Sequence, residues 1–391
     1  MDIYELLTKL ASIEDTEQQI FFYKILSILF PELKDMIYLS FNEPESQFER
    51  FNEKNFGNYN ICGLGDYSKL WVIDNKNEDT MFKVSQVAYL NLNILDRLSS
   101  YIEGKQVQDE DDFLEFMCYL KKMGTNIKTS MIERMTTLYT KKEKYKENLL
   151  NYFKYLNADK LDRNTINVKV TPQQEDYVNK ILRINKDDEK YAEIMKEYDL
   201  IYCMIAAAFY FKTKYKDKEK RINNFVEYCL NTLNVFLAPE MYTLLLFLKE
   251  KDNTGVFNKL QESKIKNQYS TFHNVAWDLM HPRIIEEYYP LISRSEDIIS
   301  LPYFAANDKG LGNYLRLNPR RGIFIMPDGI KRSIFTHSSE DDILDMIPSE
   351  KLKIELKYEA DIRKDRLNKV DFEKEKNNID MKVKKLLGID A

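Results

Sequence analysis

Two carboxylates occupy positions where ordinary packing does not call for them. Asp278 lies in the apolar-flanked helical stretch Asn274-Val275-Ala276-Trp277-Asp278-Leu279-Met280-His281-Pro282-Arg283, and Asp308 follows the strand-like run Leu301-Pro302-Tyr303-Phe304-Ala305-Ala306-Asn307. Far upstream, Asn91 and Glu133 offer two more oxygen donors. Magnesium takes hard oxygen ligands in near-octahedral geometry, so a phosphodiester-cleaving site draws acidic side chains from distant segments to one place. The chemistry open to these residues is metal-assisted hydrolysis of nucleic acid. Asn91, Glu133, Asp278 and Asp308 would hold Mg2+ or Mn2+, with Asp96 and Asn307 as substitutes. His281, Arg283, Asn307 and Lys309 lie close by in sequence and suit contacts to phosphate.

Each ligand also has a structural explanation. Ser130 followed three residues later by Glu133 is a capping box. Asp278, among apolar neighbours, needs either a cation or an ion pair with Arg283 or a similar base, because an unpaired buried carboxylate is costly. Asp308 can cap the helix that follows it. His273 reads as a helix-start or core histidine.

The elements that would position these residues have clear signals in places. Residues 84–95 (VSQVAYLNLNIL) pass from β-compatible residues through Asn91 and Asn93 into a new helix, leaving polar atoms at a strand's carboxyl end, where open α/β sheets bind ligands. Phe113, Phe116 and Leu120 fall at helical spacing, and 125–129 is a short extended piece. Ile3, Leu6, Leu7 and Leu10 mark a first helix, and a second from about Glu17 is stopped by Pro31. Between 41 and 79 only 70–73 (LWVI) is a strong strand candidate. Residues 136–265 carry helical spacing almost throughout. Pro327-Asp328-Gly329 between two β-rich runs predicts a hairpin. The tail from 349 to 385 reads as one or two charge-laced helices.

Composition sets outer limits. The chain has 391 residues, 44% of them hydrophobic, enough apolar material for a sizeable core. A net charge of -5 excludes a molecule-wide basic field, so a nucleic-acid partner would have to be held by local patches. The lysine-rich stretches at 141–147 and 214–221 read as solvated faces. Cys62, Cys118, Cys203 and Cys229 form no C-x-x-C pair, and the three histidines are dispersed, which argues against zinc and against a disulfide framework. The longest apolar run, 200–211 (LIYCMIAAAFYF), is shorter than the ~20 residues of a bilayer span and predicts a buried helix. With no signal-peptide pattern at the start, a cytoplasmic location and no membrane partner are expected. Gly63-Leu64-Gly65 lacks the spacing of a phosphate-binding loop.

The blocks YLNLNIL (89–95), Glu133, AWDLMH (276–281) and AANDKGL (305–311), in this order, resemble the PIN-like nuclease family over residues 82–135 and 268–345. The resemblance implies an α/β fold, a PIN-like core with a central, mostly parallel sheet, interrupted by a large all-helical insertion and flanked by helical ends. It divides the chain into a helical and loop-rich region (1–80), two core halves (81–135 and 266–345), a helical insertion (136–265) and a charged helical tail (346–391). It implies a metal-dependent endonuclease acting on RNA before DNA, with Asn91, Glu133, Asp278 and Asp308 in the four ligand places. A role as toxin or anti-phage effector follows from the resemblance alone. The family's first acid is normally Asp, and this chain has Asn91, a neutral donor that removes one charge from the cluster.

Two other readings compete. Arg332 and His337 have the spacing of a metal-independent ribonuclease pair on a HEPN-type helix, although the adjacent turn signal makes the segment a hairpin strand. A non-catalytic interaction protein, with a degenerate nuclease core and a helical block that binds a protein partner or regulator, is the alternative that Asn91 keeps open.

Overall fold

The computed structural model describes residues 3–42, 55–74, 82–122, 126–129, 142–183, 189–250, 255–257, 259–260, 268–289, 291–293, 298–307, 309–337, 340–358, 360–367 and 369–388. The chain divides into two units, the first comprising Met1–Tyr191, Arg283–Gly312 and Arg320–Ile334, the second Ala192–Pro282, Asn313–Pro319 and Phe335–Ala391.

In the first unit, α1 (Ile3–Ser12) buries Leu6, Leu7 and Leu10 on one face. Helix α2 (Thr16–Leu29) is capped by Asp15, whose carboxylate accepts the Gln18 N–H at 2.8 Å, and it stops ahead of Pro31, which opens a 3-10 turn. Both helices pack on an antiparallel arrangement in which β1 (Ile37–Ser40) lies between β4 (Trp71–Asp74) and β9 (Arg320–Ile325), with β10 (Lys331–Phe335) outside β9. Tyr23, Leu26, Tyr38 and Phe324 centre this core, and the Tyr38 and Phe324 rings stack at 4.2 Å. The β9–β10 connection is the expected hairpin. The Met326 N–H donates to the Ile330 carbonyl at 2.8 Å, and Gly329 supplies a φ of 86°. Arg332 is therefore on a strand, which removes the helical acid–base pairing with His337.

The second sheet of this unit runs β2 (Asn55–Phe56), β3 (Tyr59–Gly63), β8 (Ile298–Ala306), β5 (Lys83–Leu90), β6 (Asn126–Thr129), with β7 (Ile292–Ser293) also beside β8. It is mixed. Strand β5 is parallel to both β6 and β8, while β3 and β7 run antiparallel to β8. Val87, Ala88, Tyr89 and Leu90, and the whole run from Leu301 to Ala306, are buried consecutively, as expected of strands covered on both faces. Helix α3 (Leu92–Ile102) follows β5. Helix α4 (Glu110–Lys122) lays Phe113 and Phe116 against Tyr59 at ring separations of 5.6 and 5.5 Å. Helices α5 (Lys142–Asn157) and α6 (Pro172–Ile181) share a small core of Tyr145, Leu149, Val178 and Ile181.

The second unit is helical: α7 (Glu189–Lys214), α8 (Lys218–Asn231), α9 (Ala238–Leu248), most of α10 (Gln268–Tyr288), the end of α11 (Lys309–Leu317), then α12 (Glu340–Leu344), α13 (Glu350–Tyr358), α14 (Ala360–Leu367) and α15 (Phe372–Leu387). Residues 200–209 of α7 are buried without a break, the buried helix that the apolar run predicts. Among the described residues, no helix is long and apolar enough to cross a membrane. Helix α15 docks on α7 through an ion pair of Lys376 with Asp199 at 2.7 Å and a hydrogen bond from the Tyr202 hydroxyl to Asp380 at 2.9 Å.

The mixed α/β class is as expected, and its layout differs in three respects. Among the described residues the strands form two sheets instead of one, and the parallel strand pairs are those of β5 with its two neighbours. Residues 1–80, expected to be helical and loop-rich with one strong strand at 70–73, supply that strand as β4 and, among the described residues, three more, β1 to β3, within the same unit as β5. Strands β1 and β3 are short and buried at every position, so they carry none of the alternation that marks a half-exposed strand. The block 136–265 is helical where described, yet the unit division falls inside it, between Tyr191 and Ala192.

Candidate functional site

Because β5, β6 and β8 are mutually parallel, their carboxyl ends share one edge of the mixed sheet. Leu90 pairs with Thr129 on one side and Ala305 on the other. The next rung is Asn91, whose backbone N–H donates to the Ala305 carbonyl at 3.1 Å. Asn91 then leaves the ladder and starts α3. Its side-chain Oδ1 accepts the Ile94 N–H at 3.0 Å, an N-cap with extended backbone (φ -79°, ψ 163°). Asn307 is the first residue past β8 and is half-buried. The Asn91 and Asn307 segments therefore leave neighbouring parallel strands side by side.

Asp308 and Glu133 lie outside the described residues, as does the Ser130–Glu133 capping box. Lys309 opens α11. Asp96, one turn into α3, is committed to α5: Asn148 donates to its carboxylate at 2.6 Å and Lys144 pairs with it at 3.0 Å. Tyr89, the penultimate residue of β5, meets the edge of Tyr289 at a centroid distance of 4.7 Å, and burial pushes its hydroxyl pKa well up, so it stays protonated.

Asp278 belongs to the second unit. Its expected ion pair is present with a different base, since Lys259 approaches at 3.4 Å while Arg283 sits near Glu287 at 3.8 Å. Pro282 lies four residues on inside α10 and has no N–H to give the Asp278 carbonyl, and the unit division falls right after it. His281 is 6% exposed, and burial lowers its pKa to about 4. It is neutral near pH 7 and offers phosphate no positive charge. His273 is a half-buried helix residue bonded to the Tyr198 hydroxyl, with its pKa lowered first by burial and then by Lys376. Among the described residues, no three His, Cys, Asp or Glu side chains form a group able to hold a metal ion.

Sequence reasoning gave no sign of the ion cluster around Arg320. This side chain is 5% exposed and donates to Glu286 at 2.8 and 2.6 Å, to Ser333 at 3.3 Å and to the Leu64 carbonyl at 3.1 Å. It links β9, β10, the end of α10 and the loop after β3. Its only sequence signal is the pair Arg320-Arg321 ahead of an apolar strand, a pattern equally suited to solvent.

Comparison of the chain with protein-family models, with curated proteins and with solved structures finds no match.

Proposed function

We propose that the chain is a divalent-metal-dependent endonuclease of PIN-like type, acting on RNA before DNA at the carboxyl edge of the mixed sheet. The observation that carries this reading is the parallel pairing of β5 with β8, which sets Asn91 beside the segment that leads to Asn307 and Asp308. The proposed donors of the first unit, Asn91, Glu133 and Asp308, offer oxygen alone, the chemistry that Mg2+ and Mn2+ prefer over softer metals. A bound cation at such a site lowers the pKa of an attacking water and offsets charge on the leaving oxygen. The residues' own contribution is to orient the phosphate and to supply negative charge for the cation. The neutral Asn91 weakens the second of these.

The test is cleavage of labelled RNA by the parent and by Asn91→Asp in Mn2+. The reading expects metal-dependent cleavage that rises with Asn91→Asp, stops with EDTA and is lost in Asp308→Ala. Silence of Asn91→Asp on RNA and on DNA overturns it.

One observation favours the non-catalytic reading: Asn91 is a complete helix cap, a role that needs no metal. Thermal unfolding with and without Mn2+ separates the two, because a ligand bound only by the folded state raises the midpoint and a vestigial site leaves it unchanged.

A further inference from the structure

Residues 212–221 (KTKYKDKEKR) join α7 to α8 and place six cations, Lys212, Lys214, Lys216, Lys218, Lys220 and Arg221, within ten positions. Among the described residues, neighbouring carboxylates do not neutralise all of them. Glu250 receives Arg221 at 2.7 Å and Lys218 at 3.0 Å, and the hydrogen bonds from these two hold its pKa down to about 2. Asp217 accepts the backbone N–H of Lys220 at 2.7 Å as the N-cap of α8. Glu219 is the remaining acid of the stretch and is exposed. Lys214, Lys216 and Lys220 project into solvent.

Tyr215 gathers two of these three. The Lys214 Nζ lies 5.1 Å from the centre of its ring and the Lys220 Nζ 4.8 Å from it, so the two ammonium groups are within about 10 Å of each other. Lys214 is fixed further by donating to the Tyr210 hydroxyl at 3.0 Å. The turn is held from below, where the Arg221 Nε donates to the Tyr215 carbonyl at 2.6 Å. Two cations this close lie within about one Debye length at physiological salt, so a single phosphate placed between them is attracted by both.

The geometry points to a binding surface for the phosphodiester backbone of single-stranded RNA at the α7–α8 turn, formed by Lys214, Lys216 and Lys220 around Tyr215. It shares with the nuclease reading the choice of nucleic acid as partner and stands without it, because binding here requires neither a metal nor cleavage. Phosphates drawn along a basic turn with an aromatic ring beside it are the usual terms of sequence-tolerant single-strand binding. An anionic membrane is disfavoured on the same page of chemistry. A membrane-surface element sets apolar anchors beside its cations, and none of the large exposed apolar side chains of the described residues falls between 210 and 221.

Fluorescence anisotropy of a labelled oligouridylate, in EDTA so that nothing is cleaved, tests the surface. With three phosphates neutralised, the logarithm of the association constant falls with the logarithm of salt concentration at a slope steeper by about 2 than without them. The triple variant Lys214→Ala/Lys216→Ala/Lys220→Ala loses that part of the slope and binds about tenfold more weakly at low salt, with an unchanged unfolding midpoint. Lys122→Ala/Lys169→Ala, on other exposed lysines, binds as the parent does. A triple variant with parental affinity and slope overturns the proposal, and so does a parent that ignores the oligouridylate but binds phosphatidylserine vesicles through these lysines. Loss of binding in the triple variant with no cleavage by any Asn91 variant supports this surface and refutes only the nuclease reading.

Discussion

Asn91 serves two purposes at one position, closing the β5–β8 ladder through its backbone and capping α3 through its side chain. Asp caps helices as well as Asn does and adds negative charge at a helix N-terminus, so Asn91→Asp is expected to leave stability within about 0.5 kcal/mol of the parent or raise it slightly. Asn91→Ala is expected to cost about 1 kcal/mol in urea unfolding. The contrast isolates the cap from any effect of charge on metal binding. At His281 burial holds the folded-state pKa near 4 against an ordinary value of 6.5. The unfolded chain therefore takes up a proton at this residue as pH falls below 6.5 and the folded one does not until about 4, so stability declines with falling pH across that window. Between pH 7 and pH 5 the loss from this one group is about 2 kcal/mol. Urea midpoints of parent and His281→Leu at both pH values check it: the parent should lose more than the variant, and equal losses would contradict the assignment. The sequence identified Asn91 as a polar residue at a strand end and read His273 as a helix-start or core histidine, which the structure places half-buried inside α10. It did not reveal the burial of His281, because two apolar neighbours and a following proline leave both faces of a helix open to either environment.

Among the elements, the strand-to-helix passage at 84–95, the β9–β10 hairpin and the buried helix at 200–211 were all legible, each because a local signal agrees with its tertiary setting. Strands β1 and β3 were not, since four or five residues buried on both faces give no period to detect. The Arg320 cluster was hidden for a different reason: its partners, Glu286, Ser333 and Leu64, come from three other segments. Removing the counter-charge from a buried pair is far more costly than replacing the pair with apolar groups. Glu286→Ala is thus expected to destabilise the first unit by about 3 kcal/mol or more, and Arg320→Met/Glu286→Leu to recover most of the loss, as read from urea unfolding. At the hairpin, Gly329 adopts a φ of 86°, a conformation that strains a β-branched residue. Gly329→Val should cost about 1–2 kcal/mol, and a neutral result would show that the turn is free to rearrange.

On the scale of the whole molecule, the four oxygen donors are divided between units, with Asn91, Glu133 and Asp308 in the first and Asp278 in the second. The division of the chain after Pro282, four residues beyond Asp278, was not legible from sequence. Only long-range pairing sets that division, and no window of sequence contains it. Calorimetric titration of Mn2+ into Asn91→Asp, with Asp308→Asn added to it, bears most directly on the proposal that the carboxyl edge of the mixed sheet holds a cation. The account expects saturable binding that the added change abolishes or weakens at least tenfold. Binding that survives the change, or no binding at all in Asn91→Asp, would contradict it.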